Sequence, residues 1–126
     1  MNQRIALGLT LLAGVVIGAT AINGLHAQTK PKAYIVTETE LIDAAALAVY
    51  TPQAQAAVKA AGGVPGIVAS GKIVALVGEP PKRFGVSEWE SLEKAQAFRN
   101  SAAYKDLAPQ RDKAVKAIRS YAVEVR

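Results

Sequence analysis

Where this sequence reads as β-strand, its apolar residues come in adjacent pairs: Ile35-Val36, Ile67-Val68 and Ile73-Val74. Successive side chains of a strand point to opposite faces, so such pairs make a sheet apolar on both sides. A sheet with one wet face alternates apolar and polar residues instead. Both faces therefore need cover, and the stretches that read as helix suffice for one. The cheapest cover for the other is a second copy of the chain about a two-fold axis. A homodimer is the expectation.

The elements follow in order. Residues 32–39 are rich in β-branched and aromatic side chains and predict a strand. From Leu41 to Ala61, the residues Leu47, Tyr50, Ala54, Ala57, Val58 and Ala61 recur at helical steps and form one apolar stripe. Asp43 is placed to cap this helix. Pro52 predicts a kink, or a restart with Thr51 as cap. Gly62-Gly63 stops it. Residues 66–69 and 72–77 are apolar runs separated by Ser70-Gly71, which predicts a hairpin. Residues 78–81 form a loop. Residues 83–89 form a strand with Phe84, Val86 and Glu88 on one face and Arg83, Gly85, Ser87 and Trp89 on the other. Ser91 caps a helix with Glu93 in its first turn and Leu92, Ala95 and Phe98 as its stripe. Asn100-Ser101 breaks it, a further turn or two carries Tyr104 and Leu107 inward, and 109–116 is helical. Residues 119–125 alternate as a half-buried strand. The order is β-α-β-β-β-α-β. It predicts an α+β, ferredoxin-like sandwich with an extra strand: an antiparallel sheet, helices on one face, dimerisation through the other.

The chain begins differently. Arg4 precedes an uncharged apolar stretch, residues 5–22, and small residues follow up to Ala27. This is the layout of a secretory signal, so residues 1–27 are expected to be a signal peptide, 28–31 a tether and 32–126 the folded domain. The protein is then exported, to the periplasm. Cleavage after Ala27 leaves Leu25 bulky in the recognition triplet, and Ala19-Thr20-Ala21 is an alternative. An uncleaved anchor over residues 5–22 is the competing reading, since about 20 apolar residues span a bilayer.

Composition removes several chemistries. Apolar residues are 51% and charged residues 20%, a globular and not a disordered balance. There is no cysteine, and the single histidine, His26, lies in the signal segment. A thiol nucleophile, a zinc site built on thiolate or imidazole, and the usual proximal haem ligand, histidine, are thereby excluded from the mature domain. No metal or other cofactor is expected. Removing Arg4 leaves fourteen basic residues against ten acidic ones, a net charge of +4 in place of +5. The basic stretch from Lys105 to Arg119 is interrupted by Asp106 and Asp112 and has the character of a solvated surface. Nucleic acid is not an expected partner.

Several short runs then match a family. These are Lys32-Ala-Tyr-Ile-Val at the first strand, Ala60-Ala-Gly-Gly63 at the helix end, residues 78–83, Glu88-Trp89 and Ser91-Leu-Glu-Lys-Ala95, with Ser101, Tyr104 and Arg111. On these the chain from Lys32 to Val125 resembles the family of domain of unknown function 1330, in the dimeric α/β-barrel group. The resemblance implies a ferredoxin-like protomer pairing sheet to sheet, and no reaction. It departs at Leu41-Ile-Asp43, where relatives often carry proline and tyrosine, and at Val64-Pro65-Gly66, where they often carry a basic or aromatic residue.

The residues able to do chemistry are few. Glu88 shares its strand face with Phe84 and Val86, where desolvation would suit an acid or base; an ion pair with a nearby Lys or Arg is the alternative. Glu38 could share a proton with Glu88 if their strands are neighbours. Tyr104 and Arg111 together suit an anionic or phenolic ligand, or are a core ring and a helix-end charge. Arg83 is a second anion-holding candidate, and Trp89 a ligand-contacting or core aromatic. Two functions stay open. One is a domain that binds a small molecule or serves as a structural dimer. The other, which the resemblance to the dimeric α/β-barrel group implies, is a cofactor-independent enzyme of monooxygenase or isomerase type, acting on a small aromatic or acidic substrate. In the enzyme Glu88 or Tyr104 would transfer protons.

Overall fold

In the computed structural model, residues 30–126 are described. The expected signal segment and its cleavage site lie outside the described residues. No helix among the described residues is long and apolar enough to cross a membrane.

Four strands, β1 (Ala33–Leu41), β2 (Val64–Ala69), β3 (Arg83–Trp89) and β4 (Val115–Glu124), form one antiparallel sheet in the order β2-β3-β1-β4. With the helices α1 (Ala44–Ala60), α2 (Leu92–Asn100), α3 (Ala102–Lys105) and α4 (Ala108–Ala114) this is the ferredoxin-like arrangement. Asp43 caps α1 by accepting from the Ala46 amide at 2.9 Å, and Ser91 caps α2 by accepting from Lys94 at 3.3 Å. Both caps fall where the sequence places them.

Three expectations are corrected. The strand over 72–77 does not form. β2 pairs directly with β3, and Ser70 closes their junction: its amide donates to the Phe84 carbonyl at 3.1 Å and its hydroxyl accepts from the Phe84 amide at 3.0 Å. Residues 71–82 are therefore a long loop outside the ladder, and Leu76 and Val77 are 94% and 97% exposed. The sheet has four strands where five were expected. Second, of the kink or restart expected at Pro52 the restart does not form, and α1 runs as one helix through the proline. The carbonyl that proline leaves without a partner, that of Ala48, lies on an exposed turn where water can serve it. Third, α4 ends at Ala114, and β4 starts at Val115, opposite Leu41. Ile118 is an extra residue in β4, a bulge that breaks the two-residue alternation and hides the strand's first turn from pattern reading.

The register sorts the side chains. Ala33, Ile35, Thr37 and Thr39 face the helices together with Trp89, Ser87, Gly85 and Arg83 of β3. The core fills one end of this interface: Ala33, Ile35, Trp89, Ala95 and Phe98, all buried. Trp89 stacks on Phe98 with ring centres 4.8 Å apart, and Phe98 meets Tyr104 edge-on at 5.5 Å. Gly63 lies against this core so closely that a Cβ there would come within 2.8 Å of Trp89 and Val58. Gly62, at φ 90°, supplies the left-handed residue that ends α1. The outer face carries Tyr34, Val36, Phe84, Val86, Tyr121 and Val123, with Val68 of β2 beside Val86. It is the apolar second face that the strand sequences require.

Candidate functional site

Toward the other end of the helix–sheet interface the inward side chains are small. β1 and β3 present Thr37, Thr39, Ser87 and Gly85 there, and α1 presents Thr51 and Ala54. No residue of α1 is fully buried. Small residues facing small residues leave a gap, and a cavity of ≈ 290 Å³ lies between α1 and the sheet.

Three arginines enter this cavity from three elements: Arg83 from β3, Arg99 from α2 and Arg111 from α4. Each is half-buried. Arg99 donates to the Tyr104 hydroxyl at 2.6 Å and to Thr37 Oγ1 at 3.0 Å, and it also reaches Ser120 Oγ. All its partners are neutral hydroxyls. Thr37 and Ser120 face each other across β1 and β4, with their hydroxyls 3.0 Å apart, so the sheet register itself builds this receptor. Arg111 stands 5.4 Å from the centre of the Tyr104 ring and Arg99 4.5 Å, both in cation–π range. The one carboxylate on Arg111 is its neighbour Asp112, at 3.2 Å, whose side chain is 69% exposed. Burial disfavours the Arg111 charge, but Tyr104 and Asp112 outweigh it and the guanidinium is held above its usual range. Arg83 has no hydrogen-bonding or ionic side-chain partner among the described residues.

Tyr50 completes the wall from α1. Burial, then the neighbouring Tyr104, raises its phenol above the ordinary value of 10.0, while Arg111 and Arg99 pull the other way. No carboxylate lines the cavity among the described residues. Apolar surface comes from Ile35, Leu47, Ala54, Val58 and Val115. A larger hollow of ≈ 610 Å³ lies on the α2–β4 flank and shares Arg99 and Ser120 with the cavity, but among the described residues Arg99 is its one cation.

The expected site residues divide. Tyr104, Arg111 and Arg83 come together in the cavity. Glu88, Glu38 and Trp89 do not. Glu88 lies on the outer face and takes Lys32 as an ion pair at 2.5 Å, the bland alternative of the two. Glu38 also lies on the outer face, where Arg119 grips it with Nε at 3.0 Å and Nη2 at 2.9 Å. Glu38 opposes Phe84 while Glu88 opposes Tyr34, four residues further along the ladder, or about 13 Å. The two carboxylates cannot share a proton. Trp89 is 1% exposed and its indole N–H is satisfied by Ser87 Oγ at 2.9 Å, so it is core and not a ligand contact. Arg99 and Tyr50 were not singled out from the sequence as ligand contacts. Arg99 carried a signal: it sits four residues after Ala95, on the edge of the stripe of α2.

The sequence model of the family described as Domain of unknown function (DUF1330) matches residues 32–125. No curated protein matches the chain. Among solved structures the chain is similar to RPA0582, a protein of unknown function from Rhodopseudomonas palustris, at 15% identity and TM-score 0.61, covering 85% of this chain and 92% of that one. The methylated form of RPA0582 gives the same identity and score and is covered over 90% of its length. A dimeric protein of unknown function and ferredoxin-like fold from Bacteroides fragilis is similar at 10% identity and TM-score 0.47, over 77% of this chain and 99% of that one.

Proposed function

The chain belongs to the family of domain of unknown function 1330, and on that premise we propose that it is an exported protein whose domain binds a small organic anion with an apolar body. The site is the cavity between α1 and the sheet. One observation carries this reading: three half-buried guanidiniums converge on a cavity with no carboxylate in its described walls. Guanidinium forks recognise carboxylates by paired, charge-assisted hydrogen bonds, and the alanine, valine and isoleucine surface accepts the rest of the molecule. Mass spectrometry of the protein isolated under native conditions from its source tests this. A co-purifying organic acid supports the reading, and a co-purifying cation or neutral lipid counts against it.

One contact favours a second reading, a cofactor-independent enzyme. Arg99 donates to the Tyr104 oxygen, so the phenol's own proton is free to point at a ligand. Glu88 has no part in such a reaction, because it faces away. Turnover of a bound acid that is lost in Tyr104→Phe would favour catalysis over storage or transport.

The outer face supports a homodimer. Its apolar residues Tyr34, Val36, Phe84, Val86, Tyr121 and Val123 are neighbours in the register, and two of its carboxylates are paired within the chain, Glu38 with Arg119 and Glu88 with Lys32. A two-fold contact over Val36, Val86 and Tyr121 would take Glu38 and Glu88 into the interface together with their cations. The exposed Leu76 and Val77 of the 71–82 loop would extend the contact onto the second copy. Export rests on Arg4 and the apolar run after it, and N-terminal sequencing of the protein recovered from its source tests that: a start at Gln28 is the expected result.

A further inference from the structure

The charge of the cavity constrains the ligand more narrowly than its shape does. Three guanidiniums line it, and none of them is neutralised inside it. Arg99 gives three of its five N–H donors to the hydroxyls of Tyr104, Thr37 and Ser120, none of which carries a charge, and keeps two. Arg111 has, among the described residues, the exposed Asp112 alone as an acidic partner. Arg83 has no side-chain partner among the described residues. Like charges held together in a half-buried space repel, and water screens them less there than at an open surface. A single carboxylate would leave the larger part of this charge uncompensated.

The arginines also form two poles. Arg99 and Arg111 share one aromatic ring, that of Tyr104, and so define a single cationic corner on the helix side. Arg83 enters from β3, opposite Thr39, two residues along the β1–β3 ladder from the Thr37 that holds Arg99. The wall between the poles presents Gly85 of β3, a residue with no side chain to fill the space.

Resting on the anion-binding reading, we propose that the ligand is a dianion, with one acidic group on the Arg99–Arg111 corner and a second on Arg83. The chemistry that fits such a pair of groups on an apolar body is a dicarboxylic acid, and the two poles make Arg83 the residue that separates diacids from monoacids.

The test is calorimetric titration of the purified chain, at one fixed ionic strength, with benzoate, phthalate, isophthalate and terephthalate, and with pentanoate, glutarate and adipate. The expected result is that at least one diacid binds about tenfold more tightly than the monoacid of its series. Arg83→Gln should remove that advantage, and Arg83→Lys should keep part of it, since it restores the charge without the fork. Monoacids binding as well as every diacid, with binding lost in Arg99→Gln, would overturn the dianion and leave the anion site standing. No acid of either kind binding would overturn both.

Discussion

Arg99 donates to the Tyr104 hydroxyl at 2.6 Å while its Cζ stands 4.5 Å from the centre of the same ring. The ring in turn packs edge-on against Phe98 of the core. The cationic corner is thus bolted to the best-packed part of the domain. A ligand meets a guanidinium whose position is already fixed, which lowers the ordering cost of binding. Tyr104→Phe keeps the ring and removes the hydroxyl. It should cost about 1 kcal/mol of stability and weaken acid binding several-fold, as read by denaturation and by calorimetry. Unchanged binding in a variant with the stability loss would show that the hydroxyl serves the fold alone.

Gly63 is where α1 gives way to β2 and where the backbone lies directly against Trp89. A methyl group there would meet Trp89 Cη2 and Cζ2 and Val58 Cγ1, each at 2.8 Å. Gly63→Ala should destabilise the domain by about 1–3 kcal/mol through overpacking. Gly71→Ala, in the loop with open space around the position, is the control. Equal stability of the two variants in urea would contradict the packing described for Trp89.

The Tyr50 phenol is held above 10.0, first by burial and then by Tyr104. A raised pKa means that the folded state holds this proton more tightly than the unfolded chain. The resulting stability is fully present below pH 10 and is lost as pH rises through the folded value. The ultraviolet tyrosinate titration of the native chain, less that of Tyr50→Phe, should show one phenol ionising above 10. A bound acid should push it higher still, since negative charge nearby disfavours the phenolate. A Tyr50 that ionises below 10 would contradict the buried position.

The sequence carried much of the fold and part of the site. Residues 32–39 and 83–89 read correctly as strands because their β-branched and aromatic content agrees with their place in the sheet. Asp43 and Ser91 read correctly because capping is a local interaction. Residues 72–77 have the same β-forming composition and yet form a loop. Ser70 pairs with Phe84, so β2 joins β3 directly and the expected turn at Ser70-Gly71 gives way to the long 71–82 connection between them. Arg83, Tyr104 and Arg111 were legible as polar residues with chemistry to offer. Arg99 was not, because its role depends on Thr37 and Ser120 meeting across β1 and β4, and that register is a long-range property. Glu38 and Glu88 failed for the same reason: the ladder sets them about 13 Å apart and gives each a cation of its own.

Val86 lies in the middle of the outer face, between Val36 and Val68. If that face joins two copies, Val86→Glu would place a carboxylate in an apolar interface with no cation opposite it. The native mass should fall from dimer to monomer, while the helix-side core and its thermal transition are retained. Leu76→Ser in the exposed loop should weaken the dimer less. A wild-type chain that is monomeric at micromolar concentration would remove the case for this interface.

The central claim, that the cavity under α1 takes an organic anion through its arginines, is tested most directly by thermal unfolding of the chain with benzoate, benzamide and benzylamine. The three share a ring and differ in charge. Benzoate at about tenfold excess over its Kd should raise the Tm by about 5 °C, benzamide and benzylamine should not, and Arg99→Gln with Arg111→Gln should abolish the rise. A shift with benzylamine, or an equal shift in the double variant, would contradict the account.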